Sequence, residues 1–281
     1  MKRKFTFLTL TSAILISALS LSACQSNQSY ETSDLMTGIK AASHETVKPD
    51  DAFKNAYGNF SVELLKKCFD GKSNTLISPL SVSSALTMTA NGANGQTKEE
   101  MEKVLGSGMP LDKLNKYLSS FNDSLTSGED FSLKNANSIW FIKDNNFNVN
   151  NEFLQTNADL YHAGIYKRAY NSEVVNDINN WVTKHTDGMI DRLLDSNDKL
   201  SNIVLINAIA FDAVWETYYF DNFVEDGTFT DANGNEKSVT MLASEESEYI
   251  NGGNCTGFIK KYKGGKYGFA AILPDSNVSV D

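Results

Sequence analysis

From Asp50 onward, apolar residues recur at three- and four-residue steps: Phe53, Ala56, Tyr57, Phe60, Leu64 and Cys68. That period predicts an amphipathic helix with Asp50 as its N-cap and Cys68 buried on its stripe. Ser78-Pro79 opens a second helix, with proline at the first helical position, and Asn91-Gly92 ends it. Leu80, Val82, Ala85, Leu86 and Met88 make this helix apolar almost all round, which places it inside the molecule. Thr97 to Glu100 reads as a capping box for a short third helix ending at Gly106. Leu111, Leu114, Leu118, Phe121 and Leu125 lie on one face of a fourth.

The period then changes. Residues 131–142 (FSLKNANSIWFI) predict a strand, 151–163 a helix and 164–170 a short strand. Residues 172–186 predict a helix with Val174, Ile178, Trp181, Val182 and His185 on one stripe. His185, near its end, complements the helix dipole when protonated. Residues 202–211 (NIVLINAIAF) predict a strand covered on both faces. After Trp215 the chain reads as strand and turn, with hairpin turns at Asp231–Gly234 and Lys263–Lys266. Helices, then a mixed stretch, then strands make an α+β pattern without a regular βαβ repeat.

Ahead of this body the texture differs. Lys2, Arg3 and Lys4 precede an apolar run from Phe5 to Leu19, shorter than the roughly 20 strongly apolar residues of a spanning helix. The flanks fit an export signal. The run closes in Leu21-Ser22-Ala23-Cys24, which is similar to the bacterial lipobox. Residues 1–23 are therefore expected to be a lipoprotein signal peptide, with Cys24 acylated and holding the protein on a membrane surface. Residues 24–49 are rich in Ser, Thr, Asn and Gln without a period, and predict a flexible tether in which His44 is solvated. The body is expected over 50–281, outside the cytoplasm, lipid-anchored to the cell membrane or extracellular.

Composition narrows the function. A hydrophobic content of 41% across 281 residues supports a sizeable core. The formal charge of −10 becomes −13 once residues 1–23, with three basic and no acidic side chains, are removed. A chain so acidic lacks the basic face that nucleic acid requires. Three cysteines make neither a disulfide-dense scaffold nor a four-cysteine zinc site. After Cys24, Cys68 and Cys255 either pair or remain two buried thiols. The turn Asp231 to Glu236 alternates oxygen ligands, but its glycine is misplaced for a calcium loop. His162 and His185 have no paired His or nearby Cys, so no metal site is expected. No nucleophile elbow, zinc-protease helix, P-loop or dinucleotide fingerprint is present. Nothing here argues for an enzyme or a cofactor.

One segment is far more specific. Asn74 to Leu86 (NTLISPLSVSSAL), continuing through Met88, Asn91-Gly92-Ala93-Asn94-Gly95-Gln96-Thr97 and Glu100-Met101, closely resembles the serpin family. Ile178 to Val182 with Thr186 to Ile190, Leu205 to Phe211 with Trp215 and Phe220, Phe229, Val239 to Met241, and Tyr262 through Pro274 extend the likeness in order. The resemblance implies N-terminal helices packed on a large mixed sheet, with further sheets beside it. It also implies a protease inhibitor rather than an enzyme. A reactive loop is cleaved by a serine or cysteine protease and then inserts into the main sheet, trapping the acyl-enzyme. Metastability of the open sheet drives that change. In the family, hydroxyls at the start of the buried helix and an Asn on the third strand form a polar cluster beneath the opening. Ser78, Ser81 and Asn207 fall on those positions, and Trp215 falls where the loop first enters. These four residues equally serve to maintain the fold, since buried polar groups must be paired.

The sequence departs from the family at its end. Asp281 follows closely on the strand closing with Pro274, whereas the family's strand before the reactive loop, the loop with its hinge and the last barrel strands come later, as does the fifth-strand His that completes the polar cluster. The chain is therefore read as C-terminally truncated, with its target unreadable. The alternatives are a non-inhibitory serpin-like surface lipoprotein or an inactive remnant. Unpaired core strand edges are expected as well.

Overall fold

The computed structural model describes residues 32–125, 127–142, 148–171, 173–220, 223–231 and 233–279. The signal segment and Cys24 lie outside the described residues.

The helices form where the apolar period places them. α1 (Asp51–Cys68) starts at Asp50, whose Oδ1 accepts from Phe53 N at 2.8 Å. Tyr117 Oη donates to the other carboxylate oxygen at 2.6 Å, and Lys113 Nζ lies 3.2 Å away. These donors, Tyr117 first, lower the Asp50 pKa to about 2. α2 (Pro79–Ala90) is capped by Ser78 Oγ, which accepts from Ser81 N. Its buried face carries Ser83, Ser84 and Thr87 beside Met88 and Ala90, so it is small and hydroxylated as well as apolar. α3 (Gly95–Gly106) begins two residues before the predicted box. Thr97 lies inside the helix, and Asn94 caps without a side-chain bond. The capping-box reading is corrected accordingly. α4 (Leu111–Ser124), α5 (Asn151–Tyr161) and α6 (Val174–His185) complete the set.

β1 (Ser33–Asp34), β2 (Phe131–Ile142), β3 (Gly164–Arg168) and β4 (Ile203–Ala213) form one mixed sheet in the order β1-β3-β2-β4. β2 pairs β3 in parallel and β4 antiparallel, the latter from Phe131↔Ala213 to Phe141↔Ile203. Alternation splits the residues between two faces. Trp140, Ile142, Ile206 and Ala208 pack with Ile178 and Val182 beneath α6. Ile139, Ile165 and Leu205 pack with Met88, Leu154 and Tyr161 on the side of α2 and α5. β4 is thus covered on both faces, as its apolar run implies. A third cluster, including Phe53, Phe60, Leu105, Leu114 and Leu118, joins α1, α3 and α4.

Three sequence readings are revised here. Residues 32–49 are no free tether: Ser33 and Asp34 pair with Lys167 and Tyr166, and Leu35, Met36 and Ile39 pack against the α5 cluster. Their scattered apolar side chains, too few for a period, suffice once α5 offers them a surface. His44 is correspondingly not solvated, since its side chain is 15% exposed and pairs with Asp123. Cys68 is exposed rather than buried, because burial along α1 stops at Phe60 and the last turn overshoots the core. Cys68 and Cys255 are both free thiols.

Beyond the mixed sheet, β5 (Val224–Thr230) and β6 (Glu236–Leu242) form a hairpin. β7 (Glu248–Asn251), β8 (Cys255–Lys261) and β9 (Gly268–Pro274) form a three-stranded sheet with β8 in the centre. The turn between β8 and β9 uses Gly264 and Gly265 at φ 85° and 65°, a conformation open to glycine at little cost. Trp215 bridges to Tyr262 and links the exit of β4 to this sheet.

Candidate functional site

The site grows out of β4. Its eleven residues are hydrogen-bonded to β2 along one side, and among the described residues no strand pairs with the other. Ile206, Ala208 and Ala210 on one face are buried, and Leu205, Asn207, Ile209 and Phe211 on the other are half-buried.

Amides gather under that strand. Asn207 Nδ2 donates to Oδ1 of Asn135 and of Asn137, both at 2.7 Å. Asn135 Nδ2 reaches Asn122 Oδ1 on α4, and Asn137 Nδ2 reaches the Tyr161 carbonyl at 2.9 Å. Tyr161 Oη donates to Asn115 Oδ1 at 2.6 Å, and burial pushes this phenol's pKa strongly up. Asn115 Nδ2 continues to Asn91 Oδ1 at 2.7 Å. Two runs of hydrogen bonds thus meet at Tyr161, one from β4 ending on its carbonyl and one from its hydroxyl leading to the end of α2. One acceptor is left over: Asn207 Oδ1 is buried without a hydrogen-bond partner. An unmet buried acceptor costs about 1–3 kcal/mol.

Of the residues singled out by sequence, Ser78 and Ser81 are brought together, Oγ to Oγ at 2.9 Å. Asn207 bonds to β2 instead of to them. Trp215 lies at the far end of β4, stacked on Tyr262 at 4.2 Å and 9°. Below it, Lys260 is a buried cation whose Nζ lies 2.6 Å from Glu246 Oε1, 4.5 Å from the Tyr219 ring and 5.6 Å from the Trp215 ring. Lys260 and the Ser244 hydroxyl hold the Glu246 pKa down.

α6 crosses the opposite face and is fixed at both ends. At its start, the buried Arg168 of β3 sets Nη2 3.2 Å from Glu173 and Nε 2.9 Å from Asp177. The second contact is an ion pair without hydrogen-bond geometry. At its end Lys134 of β2 pairs with Asp187 at 2.9 Å. Between them Trp181 Nε1 donates to Tyr166 Oη, and Tyr166 stacks on Trp140 at 4.4 Å. Burial raises the Tyr166 pKa.

Sequence reasoning missed Asn135, Asn137, Arg168 and the Lys260–Glu246 pair. The Asn135-x-Asn137 spacing was a usable signal: two amides two apart on a buried strand share one face and must find partners there. The ion pairs join residues distant in the chain and left no such trace.

Comparison with known proteins decides the family. A family profile described as "Serpin (serine protease inhibitor)" matches residues 55–280. The chain belongs to the serpin family. Among solved serpins, native tengpin, a thermophilic serpin, superposes with a TM-score of 0.84 at 46% identity, covering 89% of this chain and 64% of that one. The latent state of tengpin gives 0.77 at 47%, over 84% and 64%. Leukocyte elastase inhibitor of Sus scrofa is 31% identical over 212 residues, 72% of this chain and 55% of that protein. The chain spans about half the length of the curated serpins it matches. The α+β serpin architecture expected from sequence is the one found. Among the described residues no group of His, Cys, Asp or Glu is arranged for a metal, and no helix is long and apolar enough to cross a membrane.

Proposed function

We propose that the serpin to which these residues belong inhibits a serine or cysteine endopeptidase by cleavage and insertion of a reactive loop. The observation that carries this reading is the family match: a serpin profile covers residues 55–280, and the chain superposes on native tengpin with a TM-score of 0.84. Strand pairing gained when a loop inserts is the free-energy source that such a mechanism needs. In this reading Trp215, at one end of β4, marks where the loop enters. Ser78, Ser81 and Asn207 govern the opening from beneath. The protease is the partner, and the chain is an inhibitor rather than a catalyst.

The test is to incubate the full-length protein with serine and cysteine proteases. A complex that survives SDS is the expected result. Cleavage of the serpin without a complex overturns the reading and favours a non-inhibitory, binding role.

Anchoring forms a second part of the proposal. The Leu21-Ser22-Ala23-Cys24 box supports lipidation of Cys24 and attachment to the outer side of a cell membrane. Cys24→Ala is expected to move the protein from the membrane fraction to the soluble one. Unchanged fractionation defeats this part alone.

A further inference from the structure

Five side chains fasten the segment ahead of α1 to the body. Thr32 Oγ1 donates to Asp177 Oδ2, Ala42 N donates to Asp159 Oδ1, Gln155 Nε2 donates to the Lys40 carbonyl, and Val47 N donates to Ser120 Oγ. The fifth attachment is His44, and it differs in kind. Its Nε2 lies 3.0 Å from Asp123 Oδ2 on α4, and its Nδ1 lies 3.3 Å from the Glu45 carbonyl. Both ring nitrogens therefore face oxygen acceptors. A neutral imidazole has one N–H and turns a lone pair toward one of those oxygens; the imidazolium donates to both. The other oxygen of Asp123 faces His162 Nε2 at 3.7 Å. His162 closes α5 in the left-handed region at φ 49°. One carboxylate thus stands between two imidazoles from different parts of the chain.

From this geometry we infer that His44, Asp123 and His162 form a proton-operated clasp, which holds the 32–49 segment against α4 and α5 in acid and loosens it toward alkaline pH. His44, at 15% exposed, is the moving part. His162, at 66% exposed and a longer distance, is a solvent-screened helper. The other charged groups do not reverse the sign. Glu45, next in the chain, adds negative charge near the ring. Along the cleft beyond Asp123 and His162, Lys134 is neutralised by Asp187, while Lys184 and His185 come from the end of α6. His185 is engaged with its own helix, its Nδ1 2.7 Å from the Trp181 carbonyl and its ring stacked on Trp181. Of the side chains that hold the segment, imidazole alone ordinarily changes charge between pH 5 and 8. The protonated ring can donate to both facing oxygens and the neutral ring to only one, so the contact is stronger in the charged form. The inference is independent of protease inhibition.

Backbone hydrogen exchange of the full chain at about pH 5 and about pH 8, corrected for intrinsic exchange, tests it. Protection across residues 39–48 is expected to be several-fold greater in acid. His44→Gln and Asp123→Asn are each expected to remove most of that difference, while His162→Gln keeps most of it. His44→Lys, a fixed cation, is expected to show equal protection at both pH values. Equal protection of the unaltered chain at both pH values overturns the clasp, and so does an undiminished pH difference in His44→Gln or His44→Lys.

Discussion

Up to Ala210 the chain buries its large side chains; after it, the one buried side chain among the described residues is Lys260. All members of the three core clusters lie between Phe53 and Ala208. Further on, Tyr249, Ile272 and Leu273 are 68%, 61% and 71% exposed. Yet the later strands are as regular as the earlier ones, with β8 paired on both sides. Backbone pairing and side-chain burial are therefore separable in this molecule. Turn chemistry and register shape β5 to β9, while helices shape the rest by covering both faces of a sheet.

The contrast is broken most directly at Ile178, fully buried on the sheet-facing side of α6. Ile178→Ala is expected to cost about 4 kcal/mol in urea unfolding of this chain, whereas Ile272→Ala stays within about 0.5 kcal/mol. Equal losses would abolish the distinction. Asp177→Ala leaves the buried Arg168 with the exposed Glu173 as its one carboxylate among the described residues, and is expected to cost about 3 kcal/mol by the same measurement. A loss as small as that of an exposed pair would show that water reaches the guanidinium. Asn207→Ala strips the donor from the buried Asn137 and the half-buried Asn135, and is expected to cost about 1–2 kcal/mol.

Asp50 sharpens the picture from the pH side. Its folded pKa, about 2, lies below the ordinary carboxylate value of 3.8. The contribution of this cap is thus fully present above about pH 4 and is lost as pH falls toward 2. Asp50→Asn is expected to flatten the acid limb of the stability curve there, and an unchanged limb would point to other carboxylates. The smallest effect belongs to Phe269→Ser, which leaves the unfolding midpoint in place and lowers binding of a hydrophobic dye to the β7–β9 sheet.

Elements with a strong period were legible. Phe131–Ile142 forms a strand with the bounds its pattern implies, and α6 lies within two residues of the predicted helix. Position in the fold was harder. The 32–49 segment looked like a tether because its anchors are single apolar side chains, backbone groups that bond to α4 and α5, and the Thr32 hydroxyl on α6, none of which makes a local pattern. Cys68 continued a helical stripe, but a stripe cannot tell where its neighbours stop. At the candidate site, Ser78, Ser81, Asn207 and Trp215 were named from the family likeness. The amides that bond Asn207 became visible only when β2 and β4 were in register.

Trp215 gives the two halves an optical gauge. Trp140 and Trp181 are 2% and 8% exposed between the mixed sheet and α6, while Trp215 stands at the joint between β4 and β8, against Tyr262 and near the Lys260 ammonium. With the two buried indoles replaced by phenylalanine, the remaining emission comes from that joint alone. A red shift that precedes the loss of helix signal would reveal the halves parting while each is still folded.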